Sequence, residues 1–279
     1  MYKAHFGLRE LPFSLTPDTS FFFACSAYQA ALNTILVAAS NGEGFIKITG
    51  EVGTGKTLLC RKLMAALDDS FYTAYIPNPY LEPRTLMLAL ADELEITCEK
   101  DIEQHLLLKS INLRLLNLAR AGRKVLLCLD EAQALPLESL EALRLLTNLE
   151  TEKRKLLQIV MFGQPELNHK LKLESIRQLA QRITFDYHLG PLSRLDMAYY
   201  MAHRLHVAGY AGGGLFTPYA LHWLHKASGG IPRLVNILAH KCMMAAYGEG
   251  RHQVLPSHVK RAVRDTASVK KSGRPWWPW

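Results

Sequence analysis

The eight residues GEVGTGKT, Gly50 to Thr57, constrain this chain more than any other stretch. Three glycines, and no bulky apolar side chain beyond Val52, leave a turn that is almost all backbone. Glycine accepts the left-handed torsions that curl a chain until successive N–H groups point inward. Lys56 closes the turn with a mobile positive charge, and Thr57 adds a hydroxyl. The spacing is that of the phosphate-cradling P-loop, G-x-x-x-x-G-K-[ST]. Such a loop works between a strand and a helix, whose positive dipole end faces the bound anion. Here GFIKIT reads as the strand and TLLCRKLMAALDD as the helix. The loop and its first helical turn (Gly50, Glu51, Val52, Gly53, Thr54, Gly55, Lys56, Thr57 and Leu58) are expected to bind ATP with Mg²⁺. Lys56 reaches the β- and γ-phosphates, and Thr57 offers its hydroxyl to the metal.

Whether the nucleotide is also broken turns on VLLCLDEAQ. Asp130 ends an apolar run, at the place where open α/β sheets gather their ligands. There it can hold a magnesium-bound water. Glu131 beside it can polarise the water that attacks the γ-phosphate. A site that only binds has no need of that second carboxylate.

The remaining pattern alternates. YTAYI, KVLLCLD, LLQIVMFG and ITFDYHL read as further strands, with helical periodicity between them. This predicts an α/β fold, a P-loop NTPase with a doubly wound, five-stranded parallel sheet. Ser26 and Gln29 are spaced as a capping box for the helix ahead of the first strand. After Pro191 only helical segments remain, predicting a small all-α lid. The predicted organisation is an N-terminal arm over 1–24, a nucleotide-binding core over 25–190, a helical lid over 191–267 and a basic, Trp-rich tail over 268–279. The five cysteines lie at 25, 60, 98, 128 and 242 without C-x-x-C spacing, which argues against a disulfide framework or zinc ribbon.

With both acidic and P-loop motifs in place, the chain resembles the AAA+ ATPases. Within them it resembles the bacterial ExeA/GspA secretion family, on the side of the mannose-sensitive haemagglutinin (MSHA) pilus. HFGLRELPFSLTPD, GEVGTGKT, LLCLDEAQ, IVMFGQPEL, RQLAQRITFDYHLGPL and GGIPRLVNILAHKC carry the resemblance. It implies several roles. Gln164 takes the place of the polar sensor near the γ-phosphate. Arg233 matches a lid arginine that reaches the nucleotide. Arg182 resembles an arginine finger acting on a neighbouring subunit's ATP, with Arg177 the competing choice. Asn78 sits where related ATPases restrain the catalytic glutamate, and is equally a turn former. The arm around Leu8 and Pro12 is placed to cover adenine. Longer relatives continue into a membrane span and a peptidoglycan-binding part. The sequence given ends at Trp279, and the role expected from the resemblance is the ATPase one.

Charge suggests partners. Residues 190–279 hold 12 Lys+Arg against 3 Asp+Glu, a net of +9, while residues 1–189 hold 21 against 22. A basic lid suits nucleic acid, a lipid surface or bound phosphate. The ending VKKSGRPWWPW suits an anionic membrane surface or a docking partner. The start lacks the apolar core of a signal peptide, so the expected location is the cytoplasm, peripheral to the inner membrane. The expected function is Mg²⁺-dependent ATP hydrolysis by a homo-oligomer, a ring, working with pilus or secretion components at the inner membrane. The alternative is a DNA-binding ATPase of the transposition-helper type. A nucleotide-gated scaffold without turnover is the third class.

Overall fold

A computed structural model describes residues 2–16, 18–97, 99, 101–147, 150–151, 154–267 and 269 of the 279. The tail expected over 268–279 lies outside them but for Val269. The contacts form two compact units. One holds Ser26–Val52 and Lys56–Leu189. The other takes the residues up to Cys25, the loop tip Gly53–Gly55, and the chain from Gly190 onward.

The elements run in chain order. A short helix, α1 (Tyr2–His5), opens the arm, and α2 (Ser26–Asn41) leads into β1 (Phe45–Thr49). Then come α3 (Lys56–Ala66), β2 (Phe71–Ile76), α4 (Pro83–Glu93), α5 (Gln104–Arg120), β3 (Lys124–Leu129) and α6 (Leu137–Leu146). A two-stranded antiparallel ladder, β4 (Glu150–Thr151) and β5 (Arg154–Lys155), precedes β6 (Leu157–Gly163). Two short helices, α7 (Glu166–Leu171) and α8 (Arg177–Ala180), lead to β7 (Ile183–His188). Beyond it lie four helices: α9 (Arg194–Val207), α10 (Pro218–Ser228), α11 (Pro232–Gly248) and α12 (Pro256–Arg264).

The main sheet has the order β2-β3-β6-β1-β7, and every pairing is parallel. All five predicted strands are in it. The sequence pattern explains the order. Strands β1, β3 and β6 are buried throughout, apart from the half-exposed Lys124, and the apolar runs of β3 and β6 suit their central places. ITFDYH alternates half-buried and exposed positions, which suits an edge strand. Helices α4 to α8 bury Leu90, Leu107, Ile111, Leu143 and Leu179 on one face, against Val125, Leu127, Ile159 and Met161. Helices α2 and α3 cover the other face. Lys47 is a buried cation in β1. It pairs with Asp186 at 2.9 Å and donates to Asn168 Oδ1 at 2.6 Å.

In the other unit, the arm packs on the C-terminal helices. Arg204 is buried and stacks over the Phe21 ring at 4.6 Å. Its Nε donates to the Pro12 carbonyl and its Nη2 to the Ser14 carbonyl at 3.3 Å. The arm is thus held by its backbone. Ser193 and Thr217 cap α9 and α10 through their side chains, and Gly229 ends α10 in the left-handed region. No helix among the described residues is long and apolar enough to cross a membrane.

At the start of α12, the buried His258 accepts from the Leu255 N–H at 3.0 Å through Nδ1. Its Nε2 meets Glu249 Oε2 at 3.0 Å. That bond, with Arg261 alongside, holds the Glu249 carboxyl below the usual glutamate range. A depressed carboxyl stabilises the fold above its ordinary pKa, and this stabilisation is lost as pH falls through the lowered one. Glu249→Gln is therefore expected to lower Tm by a few degrees near neutral pH. The gap to wild type should narrow as the buffer is taken below the ordinary glutamate range, which thermal melts across pH will read.

Candidate nucleotide-binding and hydrolysis site

Parallel strands bring their C-terminal ends to one edge of the sheet, and the site is built there. Strand β1 stops at Thr49, and the Gly50 N–H donates to the Gly163 carbonyl at the end of β6, at 3.1 Å. The loop therefore begins beside the Gly163–Gln164 peptide. Lys56, first residue of α3, is buried. Its Nζ donates to the Gly50 carbonyl at 2.8 Å and to the Glu51 carbonyl at 3.1 Å. Burial pushes the ammonium's pKa down, and the charges of Glu131 and Asp130 resist that. A lysine in this setting gains most from a new anion.

Asp130 comes directly after β3 and is buried. Burial pushes its carboxyl up, opposed by the Thr57 hydroxyl, which donates to it, and by the Glu131 N–H at 3.0 Å. Thr57 and Asp130 are thus brought into contact from distant parts of the chain. A hydroxyl and a carboxylate are hard oxygen donors, the chemistry that magnesium takes beside a phosphate, so these residues fit the metal.

Glu131 has left-handed torsions, φ 52° and ψ 38°, before a 3-10 turn over Ala132–Ala134. A non-glycine residue there costs about 1–3 kcal/mol, and such strain gathers at functional sites. The turn folds Gln133 back onto Glu131. Gln133 Nε2 donates to Glu131 Oε2 at 2.5 Å, and Gln164 Nε2 donates to the same oxygen at 3.0 Å. Burial alone would raise the Glu131 carboxyl. The bonds from Gln164 and Gln133, helped by the Lys56 charge, outweigh that and hold it low, so it is a carboxylate at neutral pH.

Lys56, Thr57, Asp130, Glu131 and Gln164 therefore meet. The other residues singled out in the sequence have described surroundings of their own. Asn78 Oδ1 accepts from the Tyr80 N–H at 3.3 Å, the geometry of a local turn, and the bonds that hold Glu131 come from two glutamines instead. Gln133 was not singled out by sequence reasoning, although DEAQ places an amide two residues after the glutamate. Leu8 and Pro12 are buried in the arm. Arg182 Nη1 donates to the Arg144 carbonyl at 3.3 Å and to Thr147 Oγ1 at 3.1 Å. Arg177 is exposed at the start of α8.

Arg233 groups with the loop tip, and its backbone N–H donates to the Gly53 carbonyl at 3.2 Å. Gly53 has φ +84°, and a Cβ built on it would stand 2.5 Å from Arg233 Cβ. Gly53→Ala is therefore expected to weaken nucleotide binding by about tenfold, from roughly 1–2 kcal/mol of left-handed strain alone. Titration with a fluorescent ATP analogue checks this.

Residues 39–171 match the AAA domain family. Among solved structures, the chain is similar to the Cdc6p protein of Pyrobaculum aerophilum, with TM-score 0.68 and 18% identity, over 91% of this chain and 70% of that one. It is also similar to the Aeropyrum pernix ORC2 protein in its ADPNP–ADP complexes, with TM-score 0.62 and 18% identity, over 87% and 68%. At that identity the likeness concerns the fold. The fold is the P-loop AAA fold of these neighbours. In sequence, the chain is 42% identical over 273 residues to General secretion pathway protein A of Aeromonas hydrophila. The match spans 98% of this chain and 50% of that protein, so the chain is about half its length. This relationship supports the ExeA/GspA secretion family indicated by the sequence motifs.

Proposed function

We propose that the chain hydrolyses ATP with Mg²⁺, oligomerises when ATP binds, and uses the cycle to help assemble a type IV pilus or type II secretion apparatus at the cytoplasmic membrane. The convergence of Lys56, Thr57, Asp130, Glu131 and Gln164 on one edge of the sheet carries the reading. Lys56 and the N–H groups of the loop after Gly50, through Leu58, would grip the phosphates. Thr57 and Asp130 would hold magnesium, which would supply charge neutralisation for the phosphates. Glu131 accepts the proton of the attacking water, and Gln164 orients groups beside it. Arg233 acts from the same chain. Arg182 acts on a neighbouring subunit's nucleotide in a ring of copies.

The finer resemblance, to MshM of the MSHA pilus system, points to a pilus as the recipient. The general secretion relative points to a secretion apparatus, and both readings put the partners in the inner membrane. Residues 268–279, of which only Val269 is among those described, would touch an anionic membrane surface, making the protein cytoplasmic and peripheral. The net charge of +9 over residues 190–279 favours a second reading, a DNA-binding ATPase of the transposition-helper type.

The test is the rate of phosphate release with anionic liposomes, with duplex DNA and with neither. The lead reading expects turnover that duplex DNA does not raise. Strong stimulation by DNA with a steep salt dependence would transfer the function to the second reading. Absence of turnover in all three would leave a nucleotide-gated scaffold.

A further inference from the structure

The side chains of Glu131, Gln133 and Gln164 close a ring of hydrogen bonds that hydrolysis by itself does not require. Gln133 uses both ends of its amide. Nε2 donates to Glu131 Oε2 at 2.5 Å, and Oε1 accepts from the Gln164 backbone N–H at 2.9 Å. Gln164 completes the ring through its own side chain, at 3.0 Å from the same Glu131 oxygen. The amide has one workable orientation. Turned over, it would set its oxygen against a carboxylate and its NH₂ against an N–H.

The ring has an electrostatic consequence. Glu131 is the foremost charged neighbour acting on the Lys56 ammonium, ahead of Asp130. A loose carboxylate on a strained turn would swing toward that cation. Paired, neither group would serve: the lysine would be lost to the phosphates and the carboxylate to the water. Yet the Lys56 Nζ donates to the Gly50 and Glu51 carbonyls, and Glu131 Oε2 is held by two amides. Both amides converge on Oε2, and Oε1 takes no part in the ring.

We infer that Gln133 is a positioning residue for ATP hydrolysis: it anchors one oxygen of Glu131, keeps the carboxylate off Lys56 and leaves the other oxygen for the attacking water. The inference rests on the hydrolytic role of Glu131 proposed above. Gln133 acts through its neighbour.

The experiment compares Gln133→Glu and Gln133→Met with wild type, in the full chain. Gln133→Glu keeps an acceptor for the Gln164 N–H but replaces the donor facing Glu131 with a second negative charge. Gln133→Met removes both bonds and adds no charge. Each is expected to lower kcat by about tenfold or more, as misplacement of a reacting group does. KM, and the Kd of a fluorescent ATP analogue, should stay within about twofold of wild type. The same substitutions made in Glu131→Gln should lower the residual rate no further, because Gln133 acts only through that carboxylate.

An unchanged kcat would overturn the inference. So would an equal fractional loss in the Glu131→Gln background, or a rise in KM and Kd that accounts for the loss, since each marks a merely structural residue. A wild type that turns over, with Glu131→Gln as active as it, would instead remove the hydrolytic role of Glu131 and take the inference with it.

Discussion

Glu131→Gln is expected to abolish turnover, by about 10²–10⁴-fold, the range for loss of a general base, while ATP binding stays within about twofold of wild type. The substitution changes one atom. The glutamine can keep its Oε1 under the amides of Gln133 and Gln164, so the ring of hydrogen bonds survives. Its Nε2 then faces the water, where it cannot take a proton. The groups proposed to bind nucleotide, Lys56 and the loop N–H groups, are untouched, and loss of a negative neighbour does not weaken the pull of Lys56 on phosphate. Phosphate release measures turnover, and titration with a fluorescent ATP analogue measures binding. More than a tenth of wild-type turnover in the variant would mean that another group takes the proton. A large loss of binding would mean that Glu131 shapes the site rather than acting in it.

The carboxylate could be picked out from sequence, but its surroundings could not, and the difference is physical. KVLLCLD and LLQIVMFG are apolar on both faces, so they read as central parallel strands, and the residues just past their C-terminal ends must lie at the ligand edge. Asp130 and Glu131 are expected at that edge for this reason, and Gln164 is expected there from the family resemblance. Gln133 was hidden because its place depends on the left-handed torsions of Glu131, which no propensity signals. Short elements were missed too. Helices α1, α7 and α8 span four to six residues, too few for a periodicity to show. The reading of Ser26 and Gln29 as a capping box also failed. Ser26 already lies in the helix, and Gln29 Nε2 donates forward to Asn33 Oδ1 at 3.0 Å. The arm shares a compact unit with α9–α12, where the buried Arg204 finds acceptors in the Pro12 and Ser14 carbonyls.

Arg182→Ala is the second large effect. It is expected to cut turnover by about 10³-fold or more, the scale of an arginine finger, and to do so only where subunits assemble. The guanidinium in a single chain is partly engaged. Nη1 donates to the Arg144 carbonyl at the end of α6 and to Thr147 Oγ1, and the Thr147 hydroxyl itself donates to the Arg144 carbonyl at 2.8 Å. A carbonyl at a helix C-terminus favours a cation, so the side chain is held in a set direction and loses less entropy in meeting a neighbour's phosphate. Arg177, exposed on α8, has no comparable hold among the described residues. The decisive measurement mixes variants. Arg182→Ala supplies an intact nucleotide site without its finger, and Lys56→Ala supplies a finger without a nucleotide site. In the proposed ring each is expected to be inactive alone, and mixing is expected to restore part of the turnover, a finger from one subunit completing the site of the next. Arg182→Lys should not substitute, since a point charge lacks the planar fork that spans two phosphate oxygens. Full activity of Arg182→Ala with loss in Arg177→Ala would move the role to Arg177, and mixing without recovery would mean that the arginine works within its own chain, holding the end of α6 against β7.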